Sequence, residues 1–322
     1  MAFSSASDTR IYVTPAHLHG FKGRAPGLNF LAHQPARSAL AGRHGVRLRG
    51  RGLDFDEIRA YQPGDDVRRI DWRVTTRTGV PHVRIFVEER DRPALLVVDQ
   101  RMSMFFGSCL NMKSVTAAEA AVLAAWRILD AGDRVGGIVF DDEGMVELRP
   151  KRNERVVNRL IMAICERNSR LHAERPAAAQ PLPLATPLAA AARIAHHDHV
   201  VIVISDFDGI DESATTLIKR LGRHNDVVLM LVHDPMARNL PTDGRLVASD
   251  GALQASLDLR QPNVHAAVMA FTSGRLQRVI DWQDELSVPV LQLSAGENTV
   301  TQLQRLLGVT NQKRPIHAEF RK

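Results

Sequence analysis

Three short runs of aliphatic residues most constrain what this chain can fold into. Residues 94–99 (ALLVVD), 199–205 (HVVIVIS) and 226–233 (DVVLMLVH) show almost no alternation of apolar and polar positions. A strand with one face in water alternates, whereas a strand covered on both faces does not. Helical periodicity fills the intervals, at 113–131 (closed by Gly132, a favourable C-cap residue), 154–168 and 213–224. Further strands are expected at 134–140 and 145–149, around the turn 141–144, and at 289–293. Further helices are expected at 188–196, 264–285 and 299–307, with a hairpin-like stretch at 246–259. The Pro- and Ala-rich residues 175–187 read as a loop. Such alternation predicts an α/β fold, a doubly wound and mainly parallel sheet flanked by helices. The strands at 94–99, 134–140, 199–205, 226–233 and 289–293 are expected in that one sheet.

The chain divides near Pro93. Residues 37–92 hold 13 Arg and 9 acidic residues and suggest a small β-rich subdomain, with strands at 47–55 and 82–88 and turns at 62–65 and 78–81. Residues 1–36 give weak signals and read as a partly ordered extension, 93–308 as the α/β domain and 309–322 as a polar tail. A net charge of +6 suits an acidic partner or nucleic acid. Cys109 and Cys165 are the only cysteines and form no C-x-x-C pair, which argues against a zinc cluster and fits a reducing compartment. The first ten residues lack an apolar core of the signal-peptide kind, and no run approaches the roughly 18 apolar residues of a membrane helix. A cytoplasmic location is the expectation.

Ligands of open α/β sheets sit beyond the carboxyl ends of the strands, where the strand order reverses. One such end reads Asp99-Gln100-Arg101-Met102-Ser103, another Ser205-Asp206-Phe207-Asp208-Gly209, and Thr186 lies in the expected loop between them. Asp99, Ser103, Thr186 and Asp206 could offer oxygens to a hard divalent cation such as Mg2+. Together they resemble the metal-ion-dependent adhesion site of von Willebrand factor A domains, a D-x-S-x-S motif with a loop Thr and a later Asp. The block at 52–72, from Gly52-Leu53-Asp54-Phe55-Asp56 through Pro63-Gly64-Asp65-Asp66-Val67-Arg68-Arg69-Ile70-Asp71-Trp72, is more specific. It is similar to the signature of the bacterial domain-of-unknown-function family fifty-eight, as are His233-Asp234-Pro235 and Leu240-Pro241. The resemblance covers roughly residues 37–310. It implies a von Willebrand factor A-like domain, a MoxR-type AAA+ ATPase as partner, and an adaptor role in maturing a client protein.

The chain departs from the adhesion motif at Arg101, where the motif has Ser. A guanidinium cannot ligate a metal. Either it lies between Asp99 and Asp206 and replaces the ion's charge, the favoured expectation, or it swings outward and leaves a metal one ligand short. Arg101 and Asp208 are candidate partner contacts at this cleft, and Arg68 and Arg69 in the Arg-rich block. That block is otherwise an ion-pair network, with Tyr61 and Trp72 expected in a core. The stretch 107–114 (GSCLNMKS) falls short of a phosphate-binding loop because Met112 precedes Lys113. His196, His197 and His199 lack a metal-binding pattern and read as a turn. A non-enzymatic adaptor is the expectation. The alternatives are a metal-dependent hydrolase using the same carboxylates and, with less support, a nucleic-acid binder using the Arg-rich segment.

Overall fold

The computed structural model describes residues 8–24, 53–88, 92–173, 181–237, 240–242, 244–249 and 254–307. The chain separates into two compact units, Ala36–Asp91 and, together, Met1–Pro35 with Arg92–Lys322. Helix α1 (Pro15–His19) precedes the small unit, which comprises β1 (Leu53–Ala60), α2 (Trp72–Thr78) and β2 (His82–Glu88). The large unit continues with β3 (Ala94–Asp99), α3 (Lys113–Asp130), β4 (Val135–Phe140), β5 (Met145–Lys151) and α4 (Glu154–Asn168). It then runs through α5 (Ala185–Ile194), β6 (Val200–Ser205), α6 (Glu212–His224), β7 (Asp226–His233) and the hairpin of β8 (Arg245–Ser249) and β9 (Gln254–Asp258). It ends with α7 (Pro262–Leu286), β10 (Val290–Ser294) and α8 (Thr299–Leu307).

Six strands form the central sheet in the order β10-β7-β6-β3-β4-β5. All pairings are parallel except that of β5 with β4. The period of two sorts each central strand. Leu96 and Val98 of β3 face a core shared with α3, α4, α8 and α1, while Leu95 and Val97 face a second core under α5, α6 and α7. Both faces are therefore covered, as the unbroken apolar runs require. Helix α3 lies so deep that Lys113 to Trp126 are all buried. Its alanines supply helix propensity without bulk. Where β5 bulges against β4, a Cβ on Gly136 would fall 2.4 Å from the Leu148 carbonyl oxygen, so only glycine fits.

The N-terminal segment and the stretch before α5 take definite form. The N-terminal segment, weak in the sequence, packs Val13, Leu18 and Phe21 into the core of the large unit. Its His17 Nε2 lies 2.8 Å from Glu119 of α3, which also accepts from Thr299 Oγ1 of α8. The loop expected to run through Pro187 ends earlier. Helix α5 begins at Ala185 and carries Pro187 in its first turn, where proline loses no backbone hydrogen bond. Thr186 thus sits on a helix, not in a loop. Of the strand expected at 47–55, residues 47–52 lie outside the described residues, and β1 begins at Leu53.

In the small unit β1 pairs antiparallel with β2, and Asp71 caps α2 by accepting from the backbone of Arg73 and Val74. Trp72 is 69% exposed there, against the expectation of a core residue.

Leu18 is fully buried although its helix has only five residues. Leu18→Ala is expected to lower stability by about 2–5 kcal/mol. Arg305→Ala, which removes the exposed pair with Glu297, should change it by under about 1 kcal/mol. Urea denaturation of both variants measures the difference.

Candidate functional site

The sheet order places β3 between β4 and β6, so the chain leaves β3 to one side and later returns on the other. This is the topological switch point, where the loops after β3 and β6 part and where sheets of this kind form their ligand crevice. Asp99 ends β3 and is fully buried. Arg101 folds back onto it. Its backbone N–H donates to Asp99 Oδ1 at 2.9 Å, its Nε to the same oxygen at 3.1 Å and its Nη2 to Oδ2 at 2.8 Å. Nη2 also donates to the Asp208 carbonyl at 3.1 Å, which joins the two loops. The guanidinium lies over the Phe140 ring, 5.4 Å from its centroid. Burial works against the charge on Arg101, but the Asp99 carboxylate and its hydrogen bonds, with Asp206 and Asp208 nearby, outweigh it and hold the pKa above the usual arginine value.

A second pair completes the crevice. Lys113 Nζ, at the first position of α3, lies 2.6 Å from Asp206 Oδ2. Ser103 Oγ donates to Asp206 Oδ1 at 3.3 Å and the Asp208 N–H to the same oxygen at 3.0 Å. Ser205 Oγ donates to Asp99 Oδ2 at 2.6 Å and accepts from the Phe207 N–H at 2.8 Å. This bond helps to hold Phe207 at φ +55°, a left-handed conformation that costs an aromatic residue about 1–3 kcal/mol. Its buried ring packs edge-on against Trp282, 6.1 Å between centroids. Gly209, at φ +71°, completes the turn.

Asp99, Arg101, Ser103 and Asp206 therefore meet, with Asp208 at the rim. Thr186, half-buried in the first turn of α5, donates its backbone N–H to the Pro183 carbonyl. Among the described residues, no hydrogen bond joins it to either carboxylate. Arg68 is exposed in the small unit, and the Arg69 side chain lies outside the described residues. The sequence reading missed Lys113, having weighed it only as part of a failed phosphate loop. Its signal was electrostatic, because a cation at a helix N-terminus opposes the macrodipole and, once buried, needs a carboxylate. It also missed Asp142, whose Oδ2 accepts from the Met102 N–H at 2.7 Å. Burial pushes the Asp142 pKa up. The Met102 hydrogen bond and Arg101 oppose the shift, while the Asp99 and Asp141 charges add to it. The loop between β3 and α3 is fixed from the far side by Asp234, which accepts from the Ser108 N–H at 2.7 Å and Ser108 Oγ at 2.6 Å.

A divalent cation of the adhesion-site kind asks for about six oxygens around it. In this crevice each candidate carboxylate already carries a fixed cation, Arg101 on Asp99 and Lys113 on Asp206. The donor set as folded does not suit such an ion.

Removing one member of a buried pair leaves the other uncompensated, at a cost of about 3–5 kcal/mol. Lys113→Met is expected to destabilise by that order, and adding Asp206→Asn should recover most of the loss. Denaturant titration of the single and double variants tests this, and an unchanged Lys113→Met midpoint contradicts it. The raised Asp142 carboxyl acts with the opposite sign. Its folded-state pKa exceeds the unfolded one, so its contribution is most favourable below the unfolded pKa and is lost as pH rises through the folded pKa. Asp142→Asn keeps an acceptor for Met102. It should be more stable than wild type at neutral pH, with the gain fading as the pH falls through the carboxylate range.

Comparison with known proteins identifies the family of the chain. Residues 57–278 match the family described as Protein of unknown function DUF58. An uncharacterized protein of Mycobacterium bovis and two of Mycobacterium tuberculosis strains are each 30% identical over 223 residues, covering 69% of this chain and 68% of the relative. The match takes in β3, the loop bearing Arg101, Lys113 and the end of β6, and on this extent the chain belongs to the DUF58 family.

Proposed function

We propose that this protein is a non-enzymatic, cytoplasmic adaptor with a von Willebrand factor A-like large unit. It binds a partner protein at the switch-point crevice and works alongside a MoxR-type AAA+ ATPase in the maturation of a client protein. The double ion pair carries this reading. An adhesion site of this fold presents a partially liganded metal to a partner's acid. Here Arg101 and Lys113 take over the charge of that metal from within the chain. A further cation would have to sit within about 4 Å of one already present, where like charges repel by several kcal/mol unless screened. The crevice is thus an internally neutralised scaffold with no resident Mg2+.

Buried at 5% exposure, Arg101 acts as an organiser. By holding Asp99 and the Asp208 carbonyl together, it sets the shape of the rim formed by Ser103, Asp208 and Gly209, and the rim is the contact surface. A surface held this way loses little entropy on binding. The absence among the described residues of any helix long and apolar enough to cross a membrane is compatible with this role.

Asp208→Arg and Ser103→Arg alter the rim and keep all four members of the ion pairs, Ser103→Arg giving up its hydrogen bond to Asp206. Each should weaken binding to a MoxR-type ATPase encoded in the same genome at least about tenfold, a change of 1.4 kcal/mol. Circular dichroism should stay unchanged. Equal affinity of wild type and both variants in calorimetry, or no binding by wild type, contradicts the reading.

A further inference from the structure

The small unit treats its acidic and basic residues differently. Asp65 pairs with Arg59, Nη2 to Oδ1 at 2.8 Å, and also accepts from the Gln62 N–H. Asp66 accepts from the Arg68 N–H at the start of a 3-10 turn, and Asp71 caps α2 from a buried position. These three acids are engaged by backbone N–H groups and, for Asp65, by Arg59. Arg68, Arg73 and Arg77 are exposed, the last two one turn apart on α2. Among the described residues no carboxylate lies within ion-pair distance of these three. Beside them in the chain stand Trp72, 69% exposed, and Val67, 60% exposed. The other two tryptophans, Trp126 and Trp282, are buried at 1% and 3%.

A solvent-facing Trp costs hydrophobic free energy unless something covers it, and Trp with Arg is the pairing most enriched where interfaces concentrate their binding energy. We infer that Trp72 and Val67, with Arg68, Arg73 and Arg77, form a docking surface for an acidic protein segment that carries an apolar anchor. This surface belongs to the small unit and does not rest on the adaptor reading. Charge complementarity favours an acidic occupant, since Asp65, Asp66 and Asp71 are engaged within the unit while Arg68, Arg73 and Arg77 are exposed with no carboxylate in ion-pair distance among the described residues. Three cations with interleaved valine and tryptophan suit a peptide better than nucleic acid, which is held by a longer row of phosphate contacts with steep salt dependence. Trp72 would bury its ring against the apolar side chain of the segment while the arginines meet its acids, which also speeds encounter.

Trp72 makes the test internal to the full-length protein. Acrylamide quenching reads it selectively, because the other two indoles are shielded. The probe is a fluorescein-labelled dodecapeptide of alternating glutamate and leucine, set against its lysine–leucine counterpart and a single-stranded oligonucleotide. The glutamate peptide should bind, halve the acrylamide-accessible fraction of the fluorescence and bind more weakly as salt screens the arginines. Arg73→Glu/Arg77→Glu and Trp72→Ala should each weaken it at least about tenfold. Both variants change exposed positions, and circular dichroism checks that they remain folded. The inference is overturned if the glutamate peptide fails to bind at millimolar concentration, if the variants bind it as wild type does, or if the lysine–leucine peptide binds equally well. Preference for the oligonucleotide over the peptide also overturns it and assigns the surface to nucleic acid.

Discussion

Two carboxylates face each other across the point where the sheet reverses its winding, and each is held by a cation from its own chain. Asp99 is held by Arg101 and Asp206 by Lys113, and all four are buried. Charges this deep are tolerated only when paired and hydrogen-bonded, and here the pairing is completed by Ser103, Ser205 and backbone N–H groups. The arrangement ties together the loop after β3, the start of α3 and the turn after β6. It also bears on the left-handed Phe207, since the hydroxyl that accepts from the Phe207 N–H donates in turn to Asp99. Burial weakens the case for such pairs as stabilisers but strengthens it for their role in fixing one geometry.

Around that knot the fold supplies a rigid frame. The six-stranded sheet is covered on both faces, and α3 is buried along most of its length. The helix that delivers Lys113 therefore has little freedom to withdraw it. The contact from His17 to Glu119 and the Thr299 hydroxyl on the same carboxylate bind the N-terminal segment and α8 to α3. A second polar knot at Asp234 fixes the outer part of the loop between β3 and α3. The crevice is thus set by elements from four distant parts of the chain.

The sequence made the sheet legible because its strands are buried on both faces, and unbroken aliphatic runs such as VVIVIS have few other readings. Asp99, Arg101, Ser103 and Asp206 were legible for a related reason, since they directly follow such runs and must emerge at the carboxyl edge. Lys113 was not, because its partner lies 93 positions away and neither propensity nor periodicity reports a buried ion pair. Thr186 reads as part of a loop because residues 175–187 are rich in Pro and Ala, whereas Pro187 is at home in the first turn of α5. The N-terminal segment escaped notice because only Val13, Leu18 and Phe21 anchor it, too few to form a pattern. Trp72 was taken for a core residue on its apolar character alone, and in a unit this small there is little core to receive it.

In the proposed function, Arg101 and Lys113 stand where an adhesion-type site would hold a metal. Calorimetric titration of magnesium and manganese into wild type and into Arg101→Ser/Lys113→Ser, both checked for folding by circular dichroism, tests it most directly. The double variant supplies the motif's hydroxyl at position 101, removes the cation at position 113 and leaves both carboxylates without a counter-charge, which favours cation uptake. Wild type should show no measurable binding at millimolar metal and the variant clear saturation, a gain of at least about tenfold. Saturable binding by wild type with equal or greater affinity would contradict it.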